Sequence, residues 1–308
     1  MMIDELRSFI AVIDAASLTR AATGLYVSQS TVSKRIQRLE AMLGATLFDR
    51  NAKPPRPTAL AARIYEQAVP LLRALEQLHD IARDDAAPAG LLRFGLPQVL
   101  ADIAMFDAVV AMKQRFAALE VKVLADRSTR LQPMLERGAL DAAMLMLPAG
   151  APLPEGTTGS LVTRFDVKVV QSAAQPLADR RATMASLAAH EWILNPDGCG
   201  YRAALERALA DHGHALRLGV DTYATETQLR LVASGLGLGL VPQAVLNASP
   251  WGRQLRVIEV EDFALTLDIW LAFPQQLGNF KRAVAVLAES VAASFAALAR
   301  QGKARRAG

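Results

Sequence analysis

The feature that most restricts this chain is a pair of capped helices joined by a tight turn inside its first 44 residues. Leu6, Phe9, Ile10 and Ile13 recur at helical spacing and form one apolar stripe, which predicts a first helix. Ser17 then precedes Leu18-Thr19-Arg20-Ala21-Ala22, where its hydroxyl can accept from an unpaired first-turn N–H, and Gly24 ends this short second helix. After the turn Leu25-Tyr26-Val27, Ser28 offers a second cap to a helix whose Val32, Ile36, Leu39 and Leu43 form a buried stripe that stops at Gly44. Helix, turn and capped helix is the helix-turn-helix arrangement.

The opposite face of the third helix carries chemistry. At about 100° per residue, Ser30, Ser33, Lys34 and Gln37 project away from the apolar stripe, with Gln29 at the edge of the same turns. Such a set can enter a DNA major groove: glutamine bonds adenine edges, serine lets the helix approach, and lysine reaches guanine or phosphate. A merely solvated face is the alternative for such a helix standing alone; the three-helix frame favours the groove. Arg50, Lys53 and Arg56 follow in a stretch where Pro54, Pro55 and Pro57 forbid helix and favour an extended wing. Residues 34–56 hold six basic and two acidic residues, so cations lie on both the helix and the loop.

Ala21-Ala22, Leu25, Val27-Ser28-Gln29-Ser30-Thr31-Val32-Ser33, Ile36, Leu39-Glu40, Leu43-Gly44, Leu47-Phe48-Asp49-Arg50 and Thr58 resemble the winged helix-turn-helix signature of LysR-type transcriptional regulators. The resemblance implies that Gln29, Ser30, Ser33 and Lys34 lie at the groove and that Arg50, Lys53 and Arg56 serve the wing and the phosphate backbone. Two positions depart from the family pattern: Ser30 stands where proline is common, and Thr58-Ala59-Leu60-Ala61 replaces Thr-x-Ala-Gly.

Residues 59–86 read as one linker helix following a DNA-binding domain over 1–58. Ile64, Ala68, Leu71, Leu75 and Leu78 alternate spacings of four and three, a seam fit for a second copy. An amphipathic helix lying on its own domain would show a similar stripe. The family resemblance favours pairing, as a homodimer or homotetramer. Asp84-Asp85-Ala86-Ala87-Pro88-Ala89-Gly90 ends the helical period as a hinge.

From Leu91 onward strand and helix patterns alternate, which points to a parallel α/β sheet. Gly138-Ala139-Leu140-Asp141 and the segment Leu231 to Pro242 resemble the LysR-type effector domain. That implies an α/β effector-binding domain over 90–300, built like periplasmic solute-binding proteins from two Rossmann-like subdomains, about 90–162 with 266–300 and about 163–265. A helix from about Asn279 to Arg300 would close it, followed by a basic, disordered tail over 301–308. In such sheets ligands sit beyond the carboxyl ends of strands, which nominates Gln98, Ser128, Thr129, Asn195, Tyr223 and Thr225 for a small polar or carboxylate-bearing effector. Each could also serve only as a helix cap. Arg127 and Arg202 are possible countercharges, or surface residues.

Other classes find little support. The chain has no Gly-x-Ser-x-Gly, no His-Glu-x-x-His and no phosphate loop, so it reads as no enzyme and needs no cofactor. His212 and His214 lack a partner at metal spacing, so no metal site is expected. Cys199 is the single cysteine; it reads as an inert or cleft-lining thiol, with oxidation to a sulfenic acid or mixed disulfide as the alternative. Met1 to Phe9 lacks a signal-peptide core, and the charge-free run from Leu231 to Gly252 is broken by glycine and proline, so a cytoplasmic protein with no membrane partner is expected. The expected partners are double-stranded promoter DNA, a small-molecule effector, a second copy of the chain and, for an activator, RNA polymerase. A set of N-terminal helices used only for protein contacts is the rival reading. The net charge of +4 divides into two patches, residues 34–56 and the tail from Arg300, on a nearly neutral chain.

Overall fold

The computed structural model describes residues 2–49, 56–81, 87–196 and 200–307. The chain falls into two compact units, Met1–Asp85 with Arg137–Ala139, and Ala86–Glu136 with Leu140–Gly308. In the first unit come α1 (Met2–Ala15), α2 (Leu18–Gly24) and α3 (Gln29–Leu43). Both serine caps form: Ser17 accepts from the Arg20 N–H at 3.3 Å and Ser28 from the Thr31 N–H at 3.2 Å. Gly44, in the left-handed region at φ 63°, ends α3. Phe9, Val32, Leu39 and Leu47 are fully enclosed, and Phe9 meets Phe48 edge to face with ring centres 5.9 Å apart. β1 (Phe48–Asp49) and β2 (Arg56–Pro57) pair antiparallel, and α4 (Ala59–Ile81) starts where the Thr58 hydroxyl accepts from the Ala61 N–H.

The linker helix differs from the expected seam. Ala61, Ala68 and Leu72 are buried in the core of this same unit, with Ile64 and Tyr65 packed against it. Leu71 and Leu78 are exposed, by 56% and 65%, as is Leu60, and Leu75 is half-buried. At about 100° per residue, two apolar stripes lie side by side on α4. One serves the domain's own core and takes Ala68, and the other, through Leu60, Leu71 and Leu78, is left outside.

The second unit is one mixed sheet built in two halves. β3 (Gly90–Leu96), α5 (Gln98–Arg115), β4 (Leu119–Ala125), α6 (Ser128–Glu136) and β5 (Ala142–Pro148) give a parallel set in which β3 lies between β4 and β5. The long β6 (Thr157–Ser172) leads away, followed by β7 (Arg181–Ala182), α7 (Met184–Leu187), β8 (Trp192–Leu194), α8 (Gly200–Asp211) and β9 (Leu218–Asp221). α9 (Thr225–Ala233), β10 (Leu238–Pro242), α10 (Gln243–Ala248) and β11 (Leu255–Val260) complete this half, whose β10, β8 and β9 are parallel. β12 (Leu265–Pro274) returns between β5 and β6, antiparallel to both, giving the order β4-β3-β5-β12-β6-β10-β8-β9. Fully buried runs such as Ala142 to Met146 and Trp192 to Leu194 explain why these strands read as continuous apolar segments.

α11 (Lys281–Ala307) packs against α5 and α10 and runs on through the residues expected to be a disordered tail. The physical reason is propensity: Gln301, Lys303, Ala304, Arg305, Arg306 and Ala307 are strong helix formers, and cations suit a helix C-terminus.

One buried carboxylate ties the connecting strands together. Asp268 of β12 accepts from the Arg164 Nε of β6 at 2.6 Å, from its Nη2 at 3.1 Å, and from the Gly150 N–H at 3.0 Å. The Arg164 hydrogen bonds, helped by Gly150, hold the Asp268 carboxyl below its ordinary value of 3.8 although burial pushes it up. A depressed carboxyl stabilises the fold above its unfolded pKa and loses that contribution only as pH falls through the folded value. Asp268→Asn should therefore lower the melting temperature by about 5 °C at pH 7. Thermal melts should show that gap unchanged between about pH 5 and 8 and closing only in stronger acid.

Candidate nucleic-acid interface and ligand cleft

α3 presents its first turns to solvent. Gln29, Ser30, Lys34 and Gln37 are exposed and Ser33 is half-buried. The Ser28 cap also shares hydrogen bonds of 2.8 Å with the hydroxyls of Ser30 and Thr31, so the start of α3 is a hydroxyl cluster rather than loose side chains. Tyr26, in the turn before it, is 95% exposed and holds a left-handed φ of 54°. Arg56 is exposed on β2 opposite Asp49.

The basic patch is smaller than its formal count. Arg35 lies 3.8 Å from Asp4 and donates toward the buried Ser8 hydroxyl, and Arg38 lies 3.9 Å from the buried Glu5. These two cations turn toward α1. Glu40 is enclosed as well: its Oε1 accepts from the Leu47 N–H at 2.7 Å and the Phe48 N–H at 3.3 Å, anchoring the start of the hairpin to α3. It thereby sets the wing relative to the recognition surface.

In the second unit a cavity of about 100 Å³ opens at the carboxyl ends of β3, β4 and β8. Pro97, Gln98 and Val99 line it from the start of α5, and Asp126, Arg127 and Ser128 from the start of α6. Asn195 and Pro196 line it from just beyond β8, Gly200 and Tyr201 from the start of α8, and Ala125, Met146 and Tyr223 also contribute. Ser128 is buried, and its Oγ accepts from the Met146 N–H at 2.9 Å. Asn195 donates to the Thr222 carbonyl at 3.1 Å and accepts from the Tyr201 hydroxyl. Three helix N-termini thus converge on one small, largely apolar cavity with a few polar groups at its edge.

A family model described as "Bacterial regulatory helix-turn-helix protein, lysR family" matches residues 3–62, and the "LysR substrate binding domain" matches residues 85–296. The chain belongs to the LysR family of transcriptional regulators. As a LysR-type regulator it has a DNA-binding helix-turn-helix domain and an effector-binding domain. It is 26% identical over 265 residues to the "RuBisCO operon transcriptional regulator" of Allochromatium vinosum, covering 84% of this chain and 85% of that one. It is 29% identical over 259 residues to a "Probable hydrogen peroxide-inducible genes activator" of Mycobacterium avium, covering 78% of each. Its fold is similar to that of a full-length OxyR variant from Pseudomonas aeruginosa, with a TM-score of 0.73, 22% identity and 94% of each chain covered.

The strand-end residues of this LysR-type regulator fall into two groups. Gln98, Ser128, Asn195 and Tyr223 line the cavity together. Thr129 and Thr225 do not. Thr129 is exposed one step beyond Ser128, about 100° around α6, and Thr225 is buried under the first turn of α9. Arg202 is spent on Glu206 at 2.9 Å and Asp221 at 3.5 Å, so it is no free countercharge. Arg127 stays at the cavity but lies 4.0 Å from Asp126. Asp126, Met146 and Tyr201 line the cavity as well, and of these the strand-end rule reaches Asp126. Arg50, Lys53 and Cys199 lie outside the described residues. Among the described residues no helix is long and apolar enough to cross a membrane, and no three His, Cys, Asp or Glu cluster as metal ligands. His212 lies 3.1 Å from Asp262.

Proposed function

We propose that this regulator reads an operator half-site with α3 in the major groove. Gln29 and Gln37 bond base edges, Ser30 and Ser33 permit close approach, and Lys34 reaches guanine or phosphate. Arg56, with Arg50 and Lys53 of the wing, holds the phosphates. A second copy docks along the outer stripe of α4 and supplies the second half-site contact, in a homodimer or homotetramer. The protein works in the cytoplasm without catalysing a reaction, and RNA polymerase is its further partner wherever it activates.

A small carboxylate-bearing effector occupies the cavity in this reading, and Ser128 is the observation that carries it. Its oxygen is used by the Met146 N–H, while its hydrogen has no acceptor among the described residues. Ser128 also begins α6, whose free N–H groups and dipole favour an anionic acceptor. Val99, Met146 and Pro196 suit a short apolar body. About 100 Å³ is small beside the roughly 300–1,000 Å³ of drug-sized sites, so the ligand has few carbons. Its binding favours one arrangement of the two halves of the sheet over another, by no more than its differential affinity for them, and so changes the spacing of the DNA-binding heads and the bend of promoter DNA.

Thermal shift of the full chain against short mono- and dicarboxylates, amino acids, sugars and hydrogen peroxide tests this. A carboxylate at 100 times its dissociation constant should stabilise the chain by about 2.7 kcal/mol. Ser128→Ala should abolish that shift while moving the unliganded melting temperature by only about 3 °C. A shift with sugars or peroxide alone, or one that survives Ser128→Ala, overturns the carboxylate assignment.

A further inference from the structure

We infer that Thr19, which lies outside the recognition helix, is a positioning residue for sequence readout because it orients the amide of Gln29. This rests on the proposed role of Gln29 at a base edge. Ser17 caps α2 and Ser28 caps α3, which sets Thr19, two residues past one cap, beside Gln29, the first residue past the other. The Thr19 Oγ1 donates to the Gln29 Oε1 at 3.3 Å, and both residues are exposed. The main chain of Thr19 is tied in turn, since its carbonyl accepts from the Thr23 hydroxyl at 3.1 Å.

The consequence is chemical. A primary amide can present its acceptor and its donors in either order, because a half-turn about its last bond exchanges them. Adenine offers an N6–H donor and an N7 acceptor and accepts only one of those orders. With the Thr19 hydrogen on Oε1, that oxygen keeps a second lone pair for the adenine N6–H, and Nε2 keeps both hydrogens for N7. Without it, an exposed glutamine must surrender the freedom of three side-chain bonds on docking, and the reversed amide competes. Thr19 therefore contributes to selectivity, while contributing little to the phosphate-driven affinity shared by all duplexes.

In vitro selection by the full chain from a randomised duplex library tests the inference. Gln29→Ala should relax preference at one base position, which locates the base it reads. Thr19→Val, which keeps the branched shape and loses the hydroxyl, should relax that same position about three- to tenfold, with an unchanged salt slope and melting temperature. Thr19→Ser should restore the preference. If Gln29→Ala relaxes a position and Thr19→Val does not, the positioning role is wrong and the readout by Gln29 stands. If Thr19→Val weakens all duplexes alike with a shallower salt slope, Thr19 is a phosphate contact and the inference fails. If Gln29→Ala relaxes no position, the base-reading assignment falls and takes this inference with it.

Discussion

Glutamate at both Leu71 and Leu78 should turn the assembled protein into a monomer and lower its affinity for a two-half-site duplex by about 100- to 10,000-fold. Both side chains are largely exposed and neither belongs to the core of the first unit, which α4 supplies through Ala61, Ala68 and Leu72. The charges therefore act on the contact between copies and leave the domain folded. Sedimentation should give half the wild-type mass or less, while affinity for an isolated half-site stays within about threefold, because the loss is one of effective concentration. A variant that keeps the wild-type mass would show that the outer stripe is not the interface. Ala68→Glu is the contrasting control, since it places a charge inside the core and should unfold the unit.

Replacing Ser33 and Lys34 together by alanine should cost about 100-fold or more in specific affinity for the selected operator. Losing the Lys34 contact to guanine costs roughly 1–3 kcal/mol at each half-site. Lys34 is exposed and, among the described residues, forms no ion pair with an acid, unlike Arg35 and Arg38 on the same helix, which leaves it for DNA. Non-specific binding should fall much less, with the salt slope reduced by about one for each lost phosphate contact. Footprints that keep the same sequence preference would show that another face of α3 enters the groove.

Much of this architecture is legible in local chemistry. Ser17, Ser28 and Gly44 announce helix ends because unpaired N–H groups and a left-handed turn have few solutions, and the structure uses them as caps. Buried parallel strands are legible because both faces must be apolar. What the pattern does not resolve is partnership. The two stripes of α4 are both apolar, and only the position of α1 against it decides that Ala68 turns inward. Formal charge counts Arg35 and Arg38 toward a DNA-binding patch, yet Asp4 and Glu5, far back in sequence, engage them. The strand-end rule locates Ser128 and Asn195 but says nothing of direction, so it also nominates Thr129 and Thr225. The contacts of Thr19 and Glu40 are not legible in the sequence because each reaches a neighbour across a turn or a hairpin.

The placement of β12 between β5 and β6 bears on how the chain is made. β5 ends at Pro148, whereas its partner begins at Leu265, so synthesis at roughly 5–20 residues per second leaves β5 and β6 without that neighbour for on the order of ten seconds. Asp268, the partner of Arg164, arrives with β12, and the α11 helix that packs on both α5 and α10 follows it. Among the described residues the core of the helix-turn-helix domain runs from Leu6 to Leu72, so it can form while the rest is still being translated. The effector domain must wait for nearly the whole chain, during which two apolar strand edges stand open to chaperones or to neighbouring nascent chains.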